Sequence, residues 1–430
     1  MNKGLKLLPV VLAVGTAIGA TAVRAEGIEY HGYTRIQAGG TSEGGNLQCF
    51  QGAYPVRAKY RLGNECDNYS EHSFGLGFGD TNDVWAKYHL TLALQDKGTE
   101  PDNTATSIST TKNNAGVVTD VSSSQSFNFL HRENFFEMGG FFGAGALENA
   151  TVWVGKRFYN RHDIHMNDFY YWTNNGVGAG IQEIKAGPTK LAFAYLQNSP
   201  NANGVNDVNA KRYAMRFYDI SLTDSTKFEG ELVAIQGSTA STTNKTGSGQ
   251  SLFLQVSQNG VLGGFNNVAL VIGKGLGGDG FEWLPTYAGG GDGASGAKSM
   301  RVHDHLYFDF KGTNITGTAT ASYAEYTPNN GSKLTWTSFG VRPQYNFSKN
   351  FSVAVEYGHD EGKNGTSRPK LDKLTIAPQL ALSPGAWARP VLRAFVTQAK
   401  WNADAGTQAN GVFGTKTSGT TFGVQAEAWW

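Results

Sequence analysis

The chain has 430 residues and a formal net charge of +1, with 36 lysines and arginines against 35 acidic residues. Such a balance lacks the basic excess of nucleic-acid-binding proteins, and we expect no nucleic-acid partner. Glycine is abundant at 56 residues, proline is scarce at 12, and aromatic residues make up 12% of the chain. Short alternating segments with glycine-rich turns and aromatic ends are typical of a transmembrane β-barrel.

The first 25 residues have the pattern of a removable export signal. Lys3 and Lys6 supply a positive start, residues 7–18 an apolar middle, and small residues before Glu26 a cleavage site. The apolar run is too short and wrongly flanked to be a membrane-spanning helix. We therefore expect a signal peptide at 1–25, followed by a single barrel domain at 26–430.

Cys49 and Cys66 are the two cysteines of the chain, and they lie 17 residues apart in one exported segment. In an oxidising compartment such a pair is expected to form a disulfide. We expect this disulfide to close the first external loop, where loop-closure entropy gives about 3 kcal/mol.

The segment 27–38 alternates between apolar and polar side chains, as a β-strand with its period of two requires. A strand with one face in lipid keeps its charges on the other face, so Tyr33 and Arg35 are predicted to point into a lumen. A strand of an ordinary soluble sandwich shows the same alternation, so this segment alone decides little. The apolar face contains Ile28, Tyr30, Thr34 and Ile36.

Two further strands are predicted at 57–63 and 69–78. In the first, Arg61 is assigned to the lumen because Tyr60 and Leu62 fall on the apolar face. In the second, Tyr69 and Glu71 are assigned to the lumen by the same alternation.

The segment 96–126 is rich in Ser, Thr, Asn and Gly and contains no aromatic residue. We interpret it as a long external loop. The segment that follows, 127–138, is a predicted strand with Arg132 beside Glu133.

The run GKRFYNRHDIHMNDFYYW at 155–172 carries the densest chemistry of the chain. It starts where a predicted strand ends and is followed by a glycine cluster, so we interpret it as a long loop rather than a buried element. Its guanidinium, carboxylate and aromatic groups suit a ligand made of hydroxyls and apolar CH faces, which is a sugar.

Two other interpretations concern the same run. His162, Asp163, His165 and Asp168 are candidate metal ligands, but the two histidines lie three residues apart, unlike the common helical zinc pair. Asp163 and Asp168 are also candidate glycosidase acids, but no apolar pocket that would raise the pKa of one of them is evident. We therefore expect no metal, no cofactor and no enzymatic activity.

Strand-like segments continue to the C-terminus, about 18 in total, and an even number is expected for a bacterial barrel. In the segment 265–272 the alternation gives Phe265 a lumen position. Trp387 has the same strand parity as two nearby arginines, which favours a lumen position, although a following proline can interrupt the strand. The closing FGVQAEAWW places Trp429 on the inner face and Trp430 on the outer face.

Several short sequence motifs resemble those of the maltoporins, the trimeric maltodextrin-selective porins of bacterial outer membranes. The resemblance is close in KRFY-RHD-HM-DFYYW at 156–172, and includes CFQ and KYRLGNEC around the cysteines, GKGL at 273–276, VRP at 341–343 and the last two strands. The loops diverge. The resemblance implies an all-β, transmembrane antiparallel barrel of about 18 strands, with an inward-folded constriction loop and assembly as a homotrimer.

The resemblance also implies a path for maltodextrin along a row of aromatic rings flanked by charged groups. The rings would be Tyr69, Tyr33, Trp429, Trp387 and Phe265. The charged groups would be Arg35, Arg61, Glu71, Arg132, Arg161, Asp163 and Asp168, with Tyr170 narrowing the passage. The family places a further aromatic residue in the loop that corresponds to 96–126, and this chain lacks it.

Other classes stay open on the residues alone. A secreted sugar-binding β-protein explains the alternation and the aromatics, but not the aromatic last strand. Sucrose porins resemble maltoporins but replace the constriction arginine and tyrosine with smaller or acidic groups. This chain keeps both, as Arg161 and Tyr170, which favours linear maltodextrins, whereas Thr173 stands where maltoporins tend to carry Asp.

Overall fold

The structure is a computed structural model of the 430-residue chain. Of the expected signal peptide, only Ala25 falls within the described residues. The described residues are 25–52, 55, 58–79, 83–96, 106–112, 118–125, 127–197, 208–239, 247–278, 296–328 and 331–430.

Among the described residues, 18 strands form one antiparallel sheet, which confirms the predicted all-β architecture and strand number. These strands are β1 Ala25–Thr41, β2 Asn68–Gly79, β3 Trp85–Asp96, β6 Phe127–Gly139, β7 Thr151–Arg157, β10 Gly176–Ala186, β11 Thr189–Gln197, β12 Val208–Ser221, β13 Thr226–Thr239, β14 Ser248–Asn259, β15 Phe265–Gly275, β16 Lys298–Asp309, β17 Ile315–Thr327, β18 Leu334–Asn346, β19 Phe351–Asn364, β20 Lys370–Ala381, β21 Val391–Trp401 and β22 Ser418–Trp429.

Smaller elements lie in the connections. Two hairpins consist of β4 Thr106–Lys112 with β5 Val118–Gln125, and β8 His162–Ile164 with β9 Phe169–Trp172. The first of these hairpins falls within the predicted irregular loop 96–126. Single 3-10 turns occupy His165–Asn167, Val261–Gly263, Leu276–Gly278, Ala403–Ala405 and Ala409–Gly411. No helix in the described ranges is long and apolar enough to cross a membrane.

Each strand of the sheet pairs with the next one along the chain, and β22 pairs back onto β1. In this closing pair Tyr33 lies opposite Trp429 and Arg35 lies opposite Glu427. A closed barrel leaves no free strand edge, which is necessary where no water can satisfy backbone groups. The connections alternate between a short-turn end, where β1 begins and β22 ends, and a long-loop end.

The two faces of the wall follow the predicted alternation. In β1 the side chains of Ile28 and Ile36 are exposed on the outside, whereas Arg35 is buried on the inside. In β22 Val424 is exposed and Glu427 is buried. The outer face is apolar because it meets lipid, and the polar groups are left for the interior.

The strand predicted at 57–63 is wrong, because its described residues, 58–63, form no strand of the wall. Tyr60 and Leu62, which we assigned to the lipid face, are buried inside the barrel. The Tyr60 ring lies on the glycine pair Gly340–Gly358 of β18 and β19, and its hydroxyl lies 2.6 Å from Ser338 Oγ. The alternation of this segment reflects packing on the inner wall rather than contact with lipid.

The predicted disulfide between Cys49 and Cys66 is confirmed, with its two Cα atoms 5.7 Å apart. It closes the loop between β1 and β2, whose central part turns back into the barrel instead of extending outward. The backbone N–H of Leu62 donates to Glu356 Oε1 at 3.0 Å, and the N–H of Ala58 donates to Asp360 Oδ2 at 2.8 Å. The inner wall therefore supplies the hydrogen-bond partners of this loop.

Gly340→Ala is expected to displace this loop, because the added methyl group would overlap the ring of Tyr60. Overpacking of this kind costs about 1–3 kcal/mol, which is enough to loosen the loop while the barrel still assembles. We expect a larger and noisier single-channel conductance. Gly77→Ala is the matched control, since nothing lies within 4 Å of its added methyl group. Equal conductance in the two variants would contradict docking of Tyr60 on the glycine pair.

Candidate functional site

The loop 158–175, between β7 and β10, lies against the inner wall. Trp172 is fully buried, stacks on Phe253 at a ring distance of 5.1 Å and donates from Nε1 to Glu231 at 2.9 Å. Phe169 packs against Trp336 at 5.0 Å. The segment is a loop, as predicted, but the prediction that it is not buried is wrong. Strands from other parts of the chain form the wall that buries it.

The two inward loops are joined through their backbones. The N–H groups of Lys59 and Arg61 donate to the carbonyls of Asn167 and Met166, at 3.1 and 3.0 Å. The ammonium of Lys59 lies 3.3 Å from the Asp168 carboxylate. The first loop, closed by the disulfide, therefore helps to fix the position of the loop 158–175.

Glu65 is the centre of a cluster of positive groups at this junction. Its carboxylate accepts hydrogen bonds from Lys59 and from Nε of Arg61, and it lies 3.5 Å from Nε of Arg35. Burial alone would raise the pKa of Glu65, but the attraction of Arg61, Lys59 and Arg35 outweighs it and lowers the pKa to about 2. Glu65 is therefore ionised and holds three cations in fixed positions.

Arg35 and Arg61 reach the aromatic residues from this cluster. The guanidinium of Arg61 donates to the hydroxyl of Tyr33 at 2.5 Å, and that of Arg35 lies over the ring of Tyr69 at 5.2 Å. Asp67 accepts from Arg35 at 2.7 Å. Arg61 takes part in this arrangement from a loop and not from the predicted strand.

A β-bulge brings Arg132 into the same region. The register of β3 and β6 shifts between Thr91, opposite Glu133, and Leu92, opposite His131, so Arg132 is the extra residue. Bulges re-aim side chains, and here Arg132 and Glu133 both reach inward although they are adjacent in sequence. Arg132 donates to the hydroxyl of Tyr69 at 3.0 Å, and this hydroxyl donates to Glu71 at 2.6 Å.

Four rings form a continuous row near the short-turn end. The ring centroids of Trp429 and Trp387 are 6.4 Å apart, those of Trp387 and Tyr307 are 5.9 Å apart, and those of Tyr307 and Phe265 are 5.7 Å apart. Tyr33 is the register partner of Trp429, and its ring centroid lies 6.2 Å from that of Tyr69. The structure thus brings all five predicted ring residues to the interior, and Tyr307 links two of them.

Trp387 reaches this row by a route that the alternation did not predict. It lies in the connection 382–390 between β20 and β21, not on a strand. Its ring is 5.5 Å from that of His165, which belongs to the inward loop. The strand parity that we used for Trp387 was therefore wrong, although the inward position is correct.

His165 connects the inward loop to both tryptophans, because its ring is also 5.8 Å from that of Trp429. Burial, and then the cationic Arg61, hold the pKa of His165 well below its usual value. The ring is therefore neutral near pH 7, and its Nδ1 is placed to accept a hydrogen bond from Arg61 at 3.1 Å.

Arg161, Asp163 and Tyr170 are less buried than the loop residues that pack on the wall. Arg161 is exposed, and its guanidinium lies over the rings of Phe158 at 4.0 Å and Tyr170 at 4.8 Å. Asp163 is also exposed, and Tyr170 is half-buried. Arg161 and Asp163 are therefore open to the water of the interior.

Three contributors were missed or underrated from the sequence. Tyr307 has the parity of an inward residue, so the alternation of β16 could have identified it. Glu427, which we placed on the inner face without a role, lies 2.6 Å from Arg389 and 3.2 Å from Arg393 and accepts from Tyr33 at 3.0 Å. Glu65 carries no such signal, because its partners are set by how the loop folds.

The metal interpretation of this loop finds no support in the geometry. Within the described ranges, no group of three or more His, Cys, Asp or Glu side chains is placed to hold a metal ion. His162 instead lies 2.9 Å from Asn160 Oδ1 and 4.7 Å, ring to ring, from Phe253.

A closed 18-stranded barrel with an apolar outside and a charged, ring-lined interior has the architecture of an outer-membrane pore. The particular family follows from the sequence match of the LamB porin family over residues 28–430. The chain belongs to this family. It is an outer-membrane sugar porin, a non-enzymatic channel.

Solved structures of other porins match the chain over most of its length at low identity. OmpF of Salmonella typhi in complex with daunomycin is 10% identical, covers 94% of this chain and 97% of its own, and has a TM-score of 0.49. OpdK of Pseudomonas aeruginosa with vanillate is 10% identical, with coverages of 94% and 99% and a TM-score of 0.46. OmpT of Vibrio cholerae in trimer form is 9% identical, with the same coverages and a TM-score of 0.40. Similarities this distant carry no argument about the ligand.

Glu65→Gln is expected to loosen the junction of the two loops. Removing one partner of a buried ion pair costs about 3–5 kcal/mol, because the remaining charges stay buried. A carboxylate with a lowered pKa stabilises the folded state fully above its ordinary pKa near 4.5, and this contribution is lost as the pH falls through about 2. The variant should therefore show at pH 7 the conductance that the unaltered pore shows only near pH 2.

The control for this prediction is Glu43→Gln, which removes a more exposed carboxylate of the same loop, paired with Lys416 at 2.6 Å. Its conductance should follow that of the unaltered pore at every pH. If Glu65→Gln also does so, the carboxylate does not hold the loops together.

Proposed function

We propose that this porin carries maltose and maltodextrins across the outer membrane by facilitated diffusion. The observation that carries the proposal is the row of inward rings from Tyr69 and Tyr33 to Phe265. The centroids of those neighbouring rings that touch are 5.7–6.4 Å apart. A glucose unit is roughly 5 Å long, close to the usual spacing of packed rings. Successive units of a linear chain can therefore rest on successive rings.

The charged groups beside the rings suit the hydroxyl edges of such a chain. Arginines donate and carboxylates accept hydrogen bonds, so both roles of a sugar hydroxyl can be met. Glu65 and Glu427 hold Arg61, Arg35 and Arg389 in place, so these donors need little reorganisation when a sugar arrives. A series of similar weak sites favours conduction, since binding must allow both loading and release.

We further propose that the loop 158–175 narrows the passage. The guanidinium of Arg161 lies 4.8 Å from the ring centroid of Tyr170 in this loop, and the pair gives a flat, cationic edge. A slim linear glucan fits such an aperture better than a branched or bulkier disaccharide.

A sucrose-type pore is the second candidate. One residue favours it, because Thr173 stands where maltoporins tend to carry an aspartate. Thr173 is fully buried in the loop, so its effect on the sugar would be exerted through the shape of the loop.

The test is the block of ion current through single pores by maltohexaose and by sucrose, with liposome swelling to compare sucrose and maltose flux. We expect maltohexaose to block and maltose to pass faster than sucrose. Trp429→Ala should weaken the block by about 1 kcal/mol, the usual magnitude for a lost ring contact. Trp430→Ala is the control, because this ring packs on the outside against Tyr30 at 5.6 Å.

Sucrose flux equal to maltose flux in the unaltered pore would replace the maltodextrin proposal with the sucrose alternative. A reduced block in Trp430→Ala with an intact block in Trp429→Ala would mean that Trp430, and not Trp429, faces the interior.

We propose that the mature chain begins at Glu26 and assembles as a homotrimer. The outer face of β1 and β2 supports assembly, because it carries polar side chains where lipid contact would favour apolar ones. The hydroxyl of Tyr30 lies 2.8 Å from His72 Nδ1, and His72 Nε2 lies 3.2 Å from Ser70 Oγ. A neighbouring subunit would cover this patch.

Unboiled protein is expected to migrate as a trimer on a gel, and boiled protein as a monomer. The intact mass of this monomer should be that of a chain that begins at Glu26. His72→Glu should lower the temperature at which the trimer dissociates, because it places a charge in the contact. A single-chain mass for the detergent-solubilised, unboiled protein would refute the assembly.

A further inference from the structure

A cavity lies in the interior at the short-turn end, on the wall formed by β11 to β14. Its volume is about 300 Å³. Lys190, Arg216, Lys227, Glu229 and Ser257 line it, and all five lie at inward positions of their strands. None of these residues belongs to the row of rings or to the charged groups of the proposed path. At this volume the cavity falls at the lower end of the range typical of small-molecule sites.

Two β-bulges shape this part of the wall. The register of β10 with β11 shifts between Ile181 and Ile184, at Glu183, and that of β12 with β13 shifts between Phe217 and Ile220, at Asp219. Both residues have a positive φ, 62° for Glu183 and 60° for Asp219, which is unfavourable for a side chain other than glycine. Strained non-glycine residues and bulges are concentrated at binding sites, where they aim side chains. Here both carboxylates reach Lys190, at 2.7 and 3.6 Å.

The charges around the cavity alternate and balance. Lys227 pairs with Asp219 at 2.5 Å, and Arg216 pairs with Glu229 at 2.6 Å. With Lys190 and Glu183, three cations face three carboxylates, so the cavity has no excess charge that would select an anion. Such a set offers both donors and acceptors to a neutral polyhydroxy compound.

An aromatic residue completes the wall of the cavity. The ring of Tyr218 lines it, with the guanidinium of Arg216 4.4 Å from the ring centroid. The Tyr218 hydroxyl donates to Glu183 at 2.9 Å, which fixes the ring against the bulge. An aromatic surface beside paired charges is the same combination that the proposed sugar path uses.

The cavity lies beside the last ring of the row, Phe265. Ser257, on its near side, pairs with Asn267, and Phe265 lies two residues earlier on the same strand and face. Diagonal neighbours of this kind are roughly 7–8 Å apart, which is within reach of one sugar unit. Lys190 and Lys227 closely follow the short connections 187–188 and 222–225, so the cavity lies at the same end of the barrel as Phe265, and a chain at Phe265 can reach it before leaving the barrel.

We propose that the cavity is a second saccharide subsite, which holds the leading glucose unit of a chain before it leaves the barrel at the short-turn end. The inference rests on the proposed passage of maltodextrins. It adds a side pocket, formed by Lys190, Arg216, Tyr218 and Glu229, that captures sugar arriving from that end and delays sugar leaving through it.

The test uses pores inserted into a planar bilayer in one orientation, with maltohexaose added to one side at a time. Association rates are measured from each side for Lys190→Gln and Arg216→Gln. We expect the rate from the short-turn side to fall about three- to tenfold, the loss that follows when one ordinary hydrogen bond is removed. The rate from the long-loop side and the ion conductance should be unchanged, which also shows that the variants are folded.

Lys185→Gln is the matched control. Lys185 lies at the same end of the barrel and pairs with Glu148 at 3.1 Å, but it does not line the cavity. Its association rates should equal those of the unaltered pore from both sides. If Arg216→Gln does not assemble, Lys190→Gln alone decides.

The outcomes separate the two proposals. Unchanged rates in both cavity variants, or rates that fall equally from both sides, would overturn the second subsite while the block of the unaltered pore stands. No block of the unaltered pore by maltohexaose from either side would overturn the proposed function itself. A side-specific fall in Lys185→Gln as large as that in the cavity variants would assign the effect to charge at the rim, and so would also overturn the subsite.

Discussion

The pairing of the first strand with the last is the constraint on which the interior depends. In hydrocarbon a strand edge has no partner other than another strand, so β22 must return to β1. This closure puts Tyr33 beside Trp429 and Arg35 beside Glu427, residues that come from opposite ends of the chain. The central part of the ring row therefore forms only when the barrel is closed. The same holds for the cluster of charges around Glu427, one of the two carboxylates that hold the arginines beside the rings.

The closed wall then acts as the support for two loops, and it holds them by different means. Tyr60 is placed by shape, because a pair of glycines leaves room for its ring. Arg35, Arg61 and Lys59 are placed by charge, because Glu65 attracts all three. A sugar channel gains from both, since donors that are already oriented need little reordering when a weakly bound ligand passes.

Three bulges in the wall each bring to the interior a charge that regular alternation would not provide. The extra residue in β6 lets Arg132 join Glu133 on the inside. The bulges at Glu183 and Asp219 bring two carboxylates to one lysine. In each case a local break in the hydrogen-bond ladder adds a polar group to the lumen without adding one to the lipid face.

The sequence by itself determined the barrel, its strand number and the inward side of most strands, because a wall between lipid and water must alternate with a period of two. That rule was sufficient for Tyr33, Tyr69 and Trp429. It could not place Trp387, Arg61 or Glu65, which lie in connections that have no period. Only the tertiary structure decided these positions, because their partners are wall residues and loops distant in sequence. The alternation of 58–62 was read as lipid contact for the same reason, since a strand face and a loop packed on an inner wall bury apolar side chains alike.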